Sequence, residues 1–166
     1  PIPVHPRIFR AMSMKIMPHR GEEFNKLFIE QSERMKKIFK TKNDVFLMAG
    51  SGTAAMDAAI ANIIQPGDKV LCITSGKFGE RFRDIVKAYK GTVVELKYEW
   101  GSSINIEDVK KALEKDPSIK AVTMVHNETS TGVRNPVAEI GKIVRSTKAL
   151  LVVDTISVSY THLTLQ

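Results

Sequence analysis

The sequence predicts an α/β domain built on a largely parallel sheet, and three observations carry that expectation. Strand-length apolar runs alternate with helical segments from Val45 to Asp154. Most consecutive strands are separated by a single helix, the crossover that parallel strands require. Turn and stop residues fall where the periodicity changes, as at Pro66-Gly67, Gly91 and Asn135-Pro136.

In chain order, Pro1 to Pro18 is rich in proline and reads as an extended arm with a short helix near Ile8–Met12. Glu22 to Lys40 places Phe24, Leu27, Phe28, Met35, Ile38 and Phe39 on one helical face. A strand over Val45–Met48 leads into a helix over Gly52–Gln65. A second strand, Lys69–Thr74, leads into a helix over Phe78–Lys90. The strand Thr92–Tyr98 precedes a helix from Ile106 to Glu114, with Asn105 as its N-cap. The strand Ala121–His126 is followed by a loop of Thr, Ser and Gly. A helix then starts at Asn135-Pro136, read as an N-cap with proline at the first helical position. The last strand is Ala149–Asp154.

Composition narrows the class. The chain has 166 residues, 43% hydrophobic and 26% charged, which suits a packed domain rather than disorder. Its apolar runs are too short for a transmembrane helix, and no signal-peptide pattern opens it. The single cysteine, Cys72, lies in an apolar run and reads as a buried thiol, with no disulfide framework or cysteine metal site. A cytoplasmic location is expected. The net charge of +7 raises nucleic acid as a partner. The basic residues are scattered, however, and the densest run, Arg34–Lys42, alternates with apolar residues as a solvated helix face does. No nucleic-acid or membrane partner is expected.

Ligands of open parallel sheets sit beyond the carboxyl ends of the strands, so the residues there are the candidates for chemistry. Ala49-Gly50-Ser51-Gly52-Thr53-Ala54 offers small residues, a hydroxyl and unpaired N–H groups at a helix N-terminus, which suits a phosphate. Ser51 equally fits a plain N-cap. Phe78, after the second strand, is an aromatic platform or a core residue. The stretch His126-Asn127-Glu128-Thr129-Ser130-Thr131-Gly132 is a hydrogen-bonding loop after an apolar strand. Asp154 brings a carboxylate out of the sheet's interior, where it needs a cationic partner from a ligand, a lysine or a helix end. A phosphate cradle, a platform, hydroxyl donors and a carboxylate are what pyridoxal phosphate requires. A nucleotide would also accept the cradle and the aromatic.

These residues also carry a resemblance. Pro3-Val4-His5-Pro6-Arg7, His19-Arg20 with Glu23-Phe24, Gly50-Ser51-Gly52-Thr53-Ala54-Ala55-Met56 and Pro66-Gly67-Asp68-Lys69-Val70 are its first stretches. Gly76-Lys77-Phe78-Gly79-Glu80-Arg81, His126 to Gly132 and Val153-Asp154-Thr155-Ile156-Ser157 complete it. In this order the chain resembles class V aminotransferases of pyridoxal-phosphate fold type I, nearest the alanine–glyoxylate and serine–pyruvate group. The resemblance implies the three-layer large, cofactor-binding domain of that fold, incomplete here. Residues 1–20 would be an arm, 21–157 part of the large domain and 158–166 a tail of foreign origin. It implies pyridoxal 5'-phosphate as cofactor, with Ser51, Gly52 and Thr53 at the phosphate and Phe78 stacked on the ring. Thr129 would bond near the phenolic oxygen, Asp154 would pair with the ring nitrogen, and Ile156 would cover the face opposite Phe78. Glu128 and His126 are expected to be structural.

The same resemblance implies transamination between alanine, serine or aspartate and glyoxylate or pyruvate, in a homodimer. Two departures accompany it. The family's Pro-Gly that precedes a stretch like Pro1–Val4 lies before the chain, and the lysine that forms the Schiff base is expected beyond Gln166. The chain as written is therefore expected not to turn over, and to expose apolar faces that favour aggregation. An organelle signal would likewise lie beyond Gln166. Rival readings are a cysteine desulfurase or phosphoserine aminotransferase relative, a non-catalytic domain that binds phosphorylated ligands, and a basic RNA-binding module.

Overall fold

A computed structural model describes residues 3–159. The chain divides into two units, with the boundary between Leu47 and Met48. The first holds α1 (Pro6–Met12) and α2 (Glu22–Phe39). The His5 side chain caps α1 by accepting from the Arg7 N–H, and Pro6 opens the helix, where its missing N–H costs nothing. The periodicity of α2 is realised, with Phe24 and Phe28 stacked at 6.2 Å between ring centroids. No residue of α2 is buried, however.

The strand expected over Val45–Met48 is not formed, and this corrects the sequence reading. A continuous apolar run favours a strand only where a neighbour pairs with the backbone. The segment has no ladder partner among the described residues, and Phe46 is 85% exposed.

The second unit is the predicted α/β arrangement. Its elements are α3 (Gly52–Ile63), β1 (Lys69–Thr74), α4 (Lys77–Ala88), β2 (Thr92–Lys97), α5 (Ile106–Lys115) and β3 (Ile119–Val125). Then come the short strands β4 (Asn127–Glu128) and β5 (Val133–Arg134), α6 (Val137–Arg145), β6 (Leu150–Asp154) and the single turn α7 (Ile156–Ser159). One four-stranded sheet runs in the order β2-β1-β3-β6, and every pairing in it is parallel. The β4–β5 pair is a separate antiparallel ribbon that the sequence reading missed.

Side chains alternate across the sheet and fill two cores, which makes the unit three-layered. Val70 and Cys72 of β1 with Ala121 and Val125 of β3 meet Met56 and Ile60 of α3 and Phe82 and Val86 of α4. On the other face Leu71, Ile73, Val122 and Met124 meet Val109 and Leu113 of α5 and Ile140 and Val144 of α6. Cys72 is the buried thiol expected, and burial pushes its pKa up to about 11.

Asn105 caps α5 as expected, its Oδ1 accepting from the Glu107 N–H at 3.0 Å. Asn135 does not cap α6. The N-cap is Pro136, without a side-chain bond, and Asn135 is buried. Its amide donates to the Val125 carbonyl at 2.9 Å and accepts from the Ile104 N–H at 3.3 Å. A side chain with both donor and acceptor satisfies two buried backbone groups at once, which a local cap cannot do. Replacing Asn135 with Ala leaves both unpaired, and urea unfolding of Asn135→Ala should show a loss of about 1–3 kcal/mol.

Candidate functional site

In the sheet, β1 has β2 on one side and β3 on the other, so the chain reverses direction of addition at β1. A crevice opens beyond the carboxyl ends of strands at such a point. The loops that follow β1, β3 and β6 converge there with the start of α3. They enclose a cavity of about 200 Å³ lined by Gly52, Thr53, Phe78, Arg81, Thr129 and Asp154, with Met56 and Ile156. Six of the seven residues proposed from sequence therefore share one cavity. The exception is Ser51, which lies at the α3 N-terminus but not on the cavity wall. Its hydroxyl is engaged as the N-cap, 3.4 Å from the Ala54 N–H.

Close approach of elements explains the small residues. A Cβ on Gly52 would lie 1.5 Å from Ile156 Cδ1, so glycine there lets the start of α3 meet the turn after β6. Gly76 plays a similar part. A Cβ on it would lie 2.5 Å from Glu128 Cγ and 2.6 Å from Ser130 Oγ.

Glu128 is fully buried and holds the two principal loops together. Gly76, as N-cap of α4, has no side chain to offer the helix. The Glu128 carboxylate replaces it from fifty residues away, accepting from the Phe78 N–H at 3.2 Å and the Gly79 N–H at 3.0 Å. It also accepts from the Ser130 hydroxyl at 2.7 Å, while Ser130 Oγ accepts from the Lys77 N–H at 2.9 Å. A buried carboxylate is tolerated because four donors, the Ser130 N–H among them, and the positive end of α4 meet it. The structural role expected for Glu128 is thus specific: it fixes Phe78 and, through its own backbone, Thr129.

Asp154 is 8% exposed at the end of β6. Its Oδ1 accepts from the Ile156 N–H at 2.8 Å, and Oδ2 has no donor among the described residues. Burial first, and then the nearby Glu128 charge, push its pKa above the usual carboxylate value, while Arg81 and the Ile156 N–H oppose the rise. A buried carboxylate that lines a cavity and keeps one oxygen without a donor can receive a cationic N–H. Arg81, which the sequence reading did not assign, donates to Thr53 Oγ1 at 2.7 Å and stands 4.7 Å from the Phe78 ring centroid. His126 is half-buried, and desolvation followed by the Arg134 charge lowers its pKa. It contributes its backbone, donating to the Asp154 carbonyl at 2.9 Å.

A larger hollow of about 700 Å³ lies elsewhere, along β2 and α5, beside Val94, Leu96 and Lys111. It is an open groove in which Asp108 accepts from the Tyr98 hydroxyl and Lys69 pairs with Asp116. Lys69 lies 2.6 Å from Asp116 and, with Ser118, holds that carboxyl down at about 2. None of the strand-end loops lines it. Among the described residues no cluster of His, Cys, Asp and Glu is arranged to hold a metal ion, and no helix is long and apolar enough to cross a membrane.

The crevice, the helix N-terminus and the buried carboxylate define a site of the kind that open α/β enzymes use for phosphorylated ligands. Comparison with known proteins places the fold and the chain. An alanine–glyoxylate aminotransferase from Nostoc superposes with a TM-score of 0.88 at 35% identity, over 93% of this chain and 41% of that one. An uncharacterized aminotransferase of Methanocaldococcus jannaschii is 54% identical over 95% of this chain and 41% of its own length. The (S)-ureidoglycine–glyoxylate transaminase of Bacillus subtilis is 34% identical over 95% of this chain and 38% of its own. The class-V aminotransferase family model matches residues 9–165, and the chain belongs to that family. It spans about two-fifths of the length of these curated relatives. Members of the family are pyridoxal-phosphate enzymes. The tail read as foreign begins at Val158 inside α7, and residues 160–166 lie outside the described residues.

The donor set fits that cofactor. The start of α3 brings free N–H groups and the Thr53 hydroxyl to the cavity, and an aromatic side chain, aliphatic side chains and a carboxylate with an unfilled acceptor also line it. Glu128→Ala removes the carboxylate that receives two α4 N–H groups. Thermal unfolding should drop by several degrees, because an N-cap and a buried charge-assisted bond are each worth about 1–2 kcal/mol or more. Glu128→Gln should recover part of the loss.

Proposed function

We propose that the whole protein is a pyridoxal-phosphate-dependent aminotransferase that moves an amino group between a small amino acid and a 2-oxo acid such as glyoxylate or pyruvate. The observation that carries this reading is the buried Asp154, which lines the same cavity as the α3 N-terminus, Phe78 and Thr129 and has one carboxylate oxygen without a donor among the described residues. The glyoxylate-dependent names among the relatives support glyoxylate as acceptor and alanine, serine or aspartate as donor. The reading takes 21–157 as part of the cofactor-binding domain, and takes a homodimer as the working form.

The cofactor supplies an electron sink for charge that develops at the substrate α-carbon. The residues of this chain bind and orient it. Gly52 and Thr53 offer N–H and hydroxyl donors to the phosphate, with Ser51 ordering the helix end behind them. Phe78 and Ile156 face the ring from two sides. Thr129 supplies a hydroxyl near the phenolic oxygen. Asp154 keeps the proton on the ring nitrogen, which makes the sink effective. No lysine lines the cavity among the described residues, so these side chains carry the binding part of the chemistry.

Pyridoxamine 5'-phosphate is the suitable probe, because it binds without a covalent link to lysine. Its affinity should fall on acidification, as the proton that Asp154 holds above its ordinary 3.8 competes with the ring N–H. Asp154→Asn should weaken binding and flatten that pH profile. The sign for folding is opposite. A carboxyl raised on folding contributes stability that is complete below its unfolded pKa and lost as pH rises through the folded one. Asp154→Asn should therefore stabilise the ligand-free chain at neutral pH while it weakens the ligand, measured by unfolding with and without probe. A variant that loses neither affinity nor pH dependence contradicts the assignment.

A further inference from the structure

Arg81 lies outside every role assigned above, yet among the described residues it is the only cation on the cavity wall, as Asp154 is the only anion. The pocket is therefore bipolar, and the cation stands at the end where α3 begins. The geometry points to Arg81 as the countercharge for the ligand's phosphate monoester, acting directly and through the Thr53 hydroxyl that it orients. This rests on the reading of the cavity as a pyridoxal-phosphate site and adds to it a residue that sets its preference for the phosphorylated ligand.

The chemistry of Thr53 carries the inference. A hydroxyl has one proton to donate and two lone pairs to accept with. Arg81 Nη1 donates to Thr53 Oγ1 at 2.7 Å, so a lone pair is engaged and the hydroxyl proton is left for another acceptor. Thr53 is the second residue of α3, where backbone N–H groups have no partner within the helix. Arg81 has further N–H donors and no acceptor. Everything polar at this end of the cavity thus presents hydrogen, and one group carries a full positive charge. Such a set repels a cation and does not match a neutral carbonyl. It suits a dianionic group with several acceptor oxygens, which an arginine fork meets in more than one bond.

The arginine is also held in place. Its guanidinium lies 4.7 Å from the Phe78 ring centroid, and α4 carries Phe78 and Arg81 on adjacent turns. The Glu128 clamp that seats the first turn of α4 therefore seats both residues. A purely structural strap between α4 and α3 would show the same contact to Thr53. The two roles separate by ligand.

The test compares pyridoxamine 5'-phosphate with pyridoxamine, which differs only in lacking the phosphate, by titration calorimetry on the wild-type chain, Arg81→Ala and Arg81→Lys. Arg81→Ala should weaken the phosphorylated ligand by about ten- to a hundredfold and the dephosphorylated one by no more than about twofold. Arg81→Lys keeps the charge but not the fork and should fall between. Equal losses for both ligands, or no loss for either, overturn the proposal. Should Arg81→Ala fail to fold, the Lys variant decides on the same ratio. Inorganic phosphate, titrated against the ¹⁵N-labelled chain, isolates the anion site from the ring. Shifts at the Gly52 and Thr53 amides that vanish in the Arg81 variants support the proposal even if pyridoxamine 5'-phosphate binds no better than phosphate, an outcome that would defeat the cofactor reading alone. Absence of those shifts in the wild-type chain overturns the anion site itself.

Discussion

The site depends on one buried carboxylate placed at the end of a helix. Glu128 leaves β4 with no exposed surface and delivers its charge to the first turn of α4, where Gly76 leaves the N–H groups uncapped. Separately, each half would be unstable: a buried unpaired carboxylate is costly, and so is a buried helix end without acceptors. Together they lock the loop after β1 to the loop after β3. Phe78 and Thr129 inherit their positions from that lock, and Arg81 follows one turn further along α4. The absence of room for any side chain at Gly76 is the counterpart of the same contact.

The sheet supplies the frame on which that lock acts. All four strands run parallel, so all their carboxyl ends point the same way, and the switch in order at β1 parts the connections above them. Two apolar cores, one on each face, make the frame stiff. A stiff frame allows a carboxylate to be held in a desolvated place at the end of β6. The raised pKa of Asp154 is the mark of that cost, and a cationic ring nitrogen would relieve it.

Much of this was legible in the sequence because local chemistry determined it. The apolar runs of β1 and β3 and the Asn105 cap need only their own neighbours to be read. Six of the seven proposed cofactor contacts reach one cavity because strand ends in a parallel sheet gather by topology, whatever the loops contain. The failures share a cause as well. Asn135 looks like a cap by position and instead serves two backbone groups distant in sequence. Val45–Met48 has the composition of a strand, but pairing is a property of two segments. The purpose of Glu128 was hidden because its partners lie fifty residues away, and Arg81 was passed over because nothing local sets an arginine on α4 beside a threonine on α3. The pairing of Gly76, without a side chain, with a buried acid in a distant polar loop was the one available signal.

The central claim is that the crevice above β1, β3 and β6 receives the ring and phosphate of one ligand. The most direct test is to map the amide shifts of the ¹⁵N-labelled chain on adding pyridoxamine 5'-phosphate. The account predicts perturbations concentrated at Gly52, Thr53, Phe78, Thr129 and Ile156, with ring-to-side-chain Overhauser contacts to Phe78 and Ile156. Perturbations centred instead on Lys69, Lys111 and Asp116, in the groove beside α5, would contradict it.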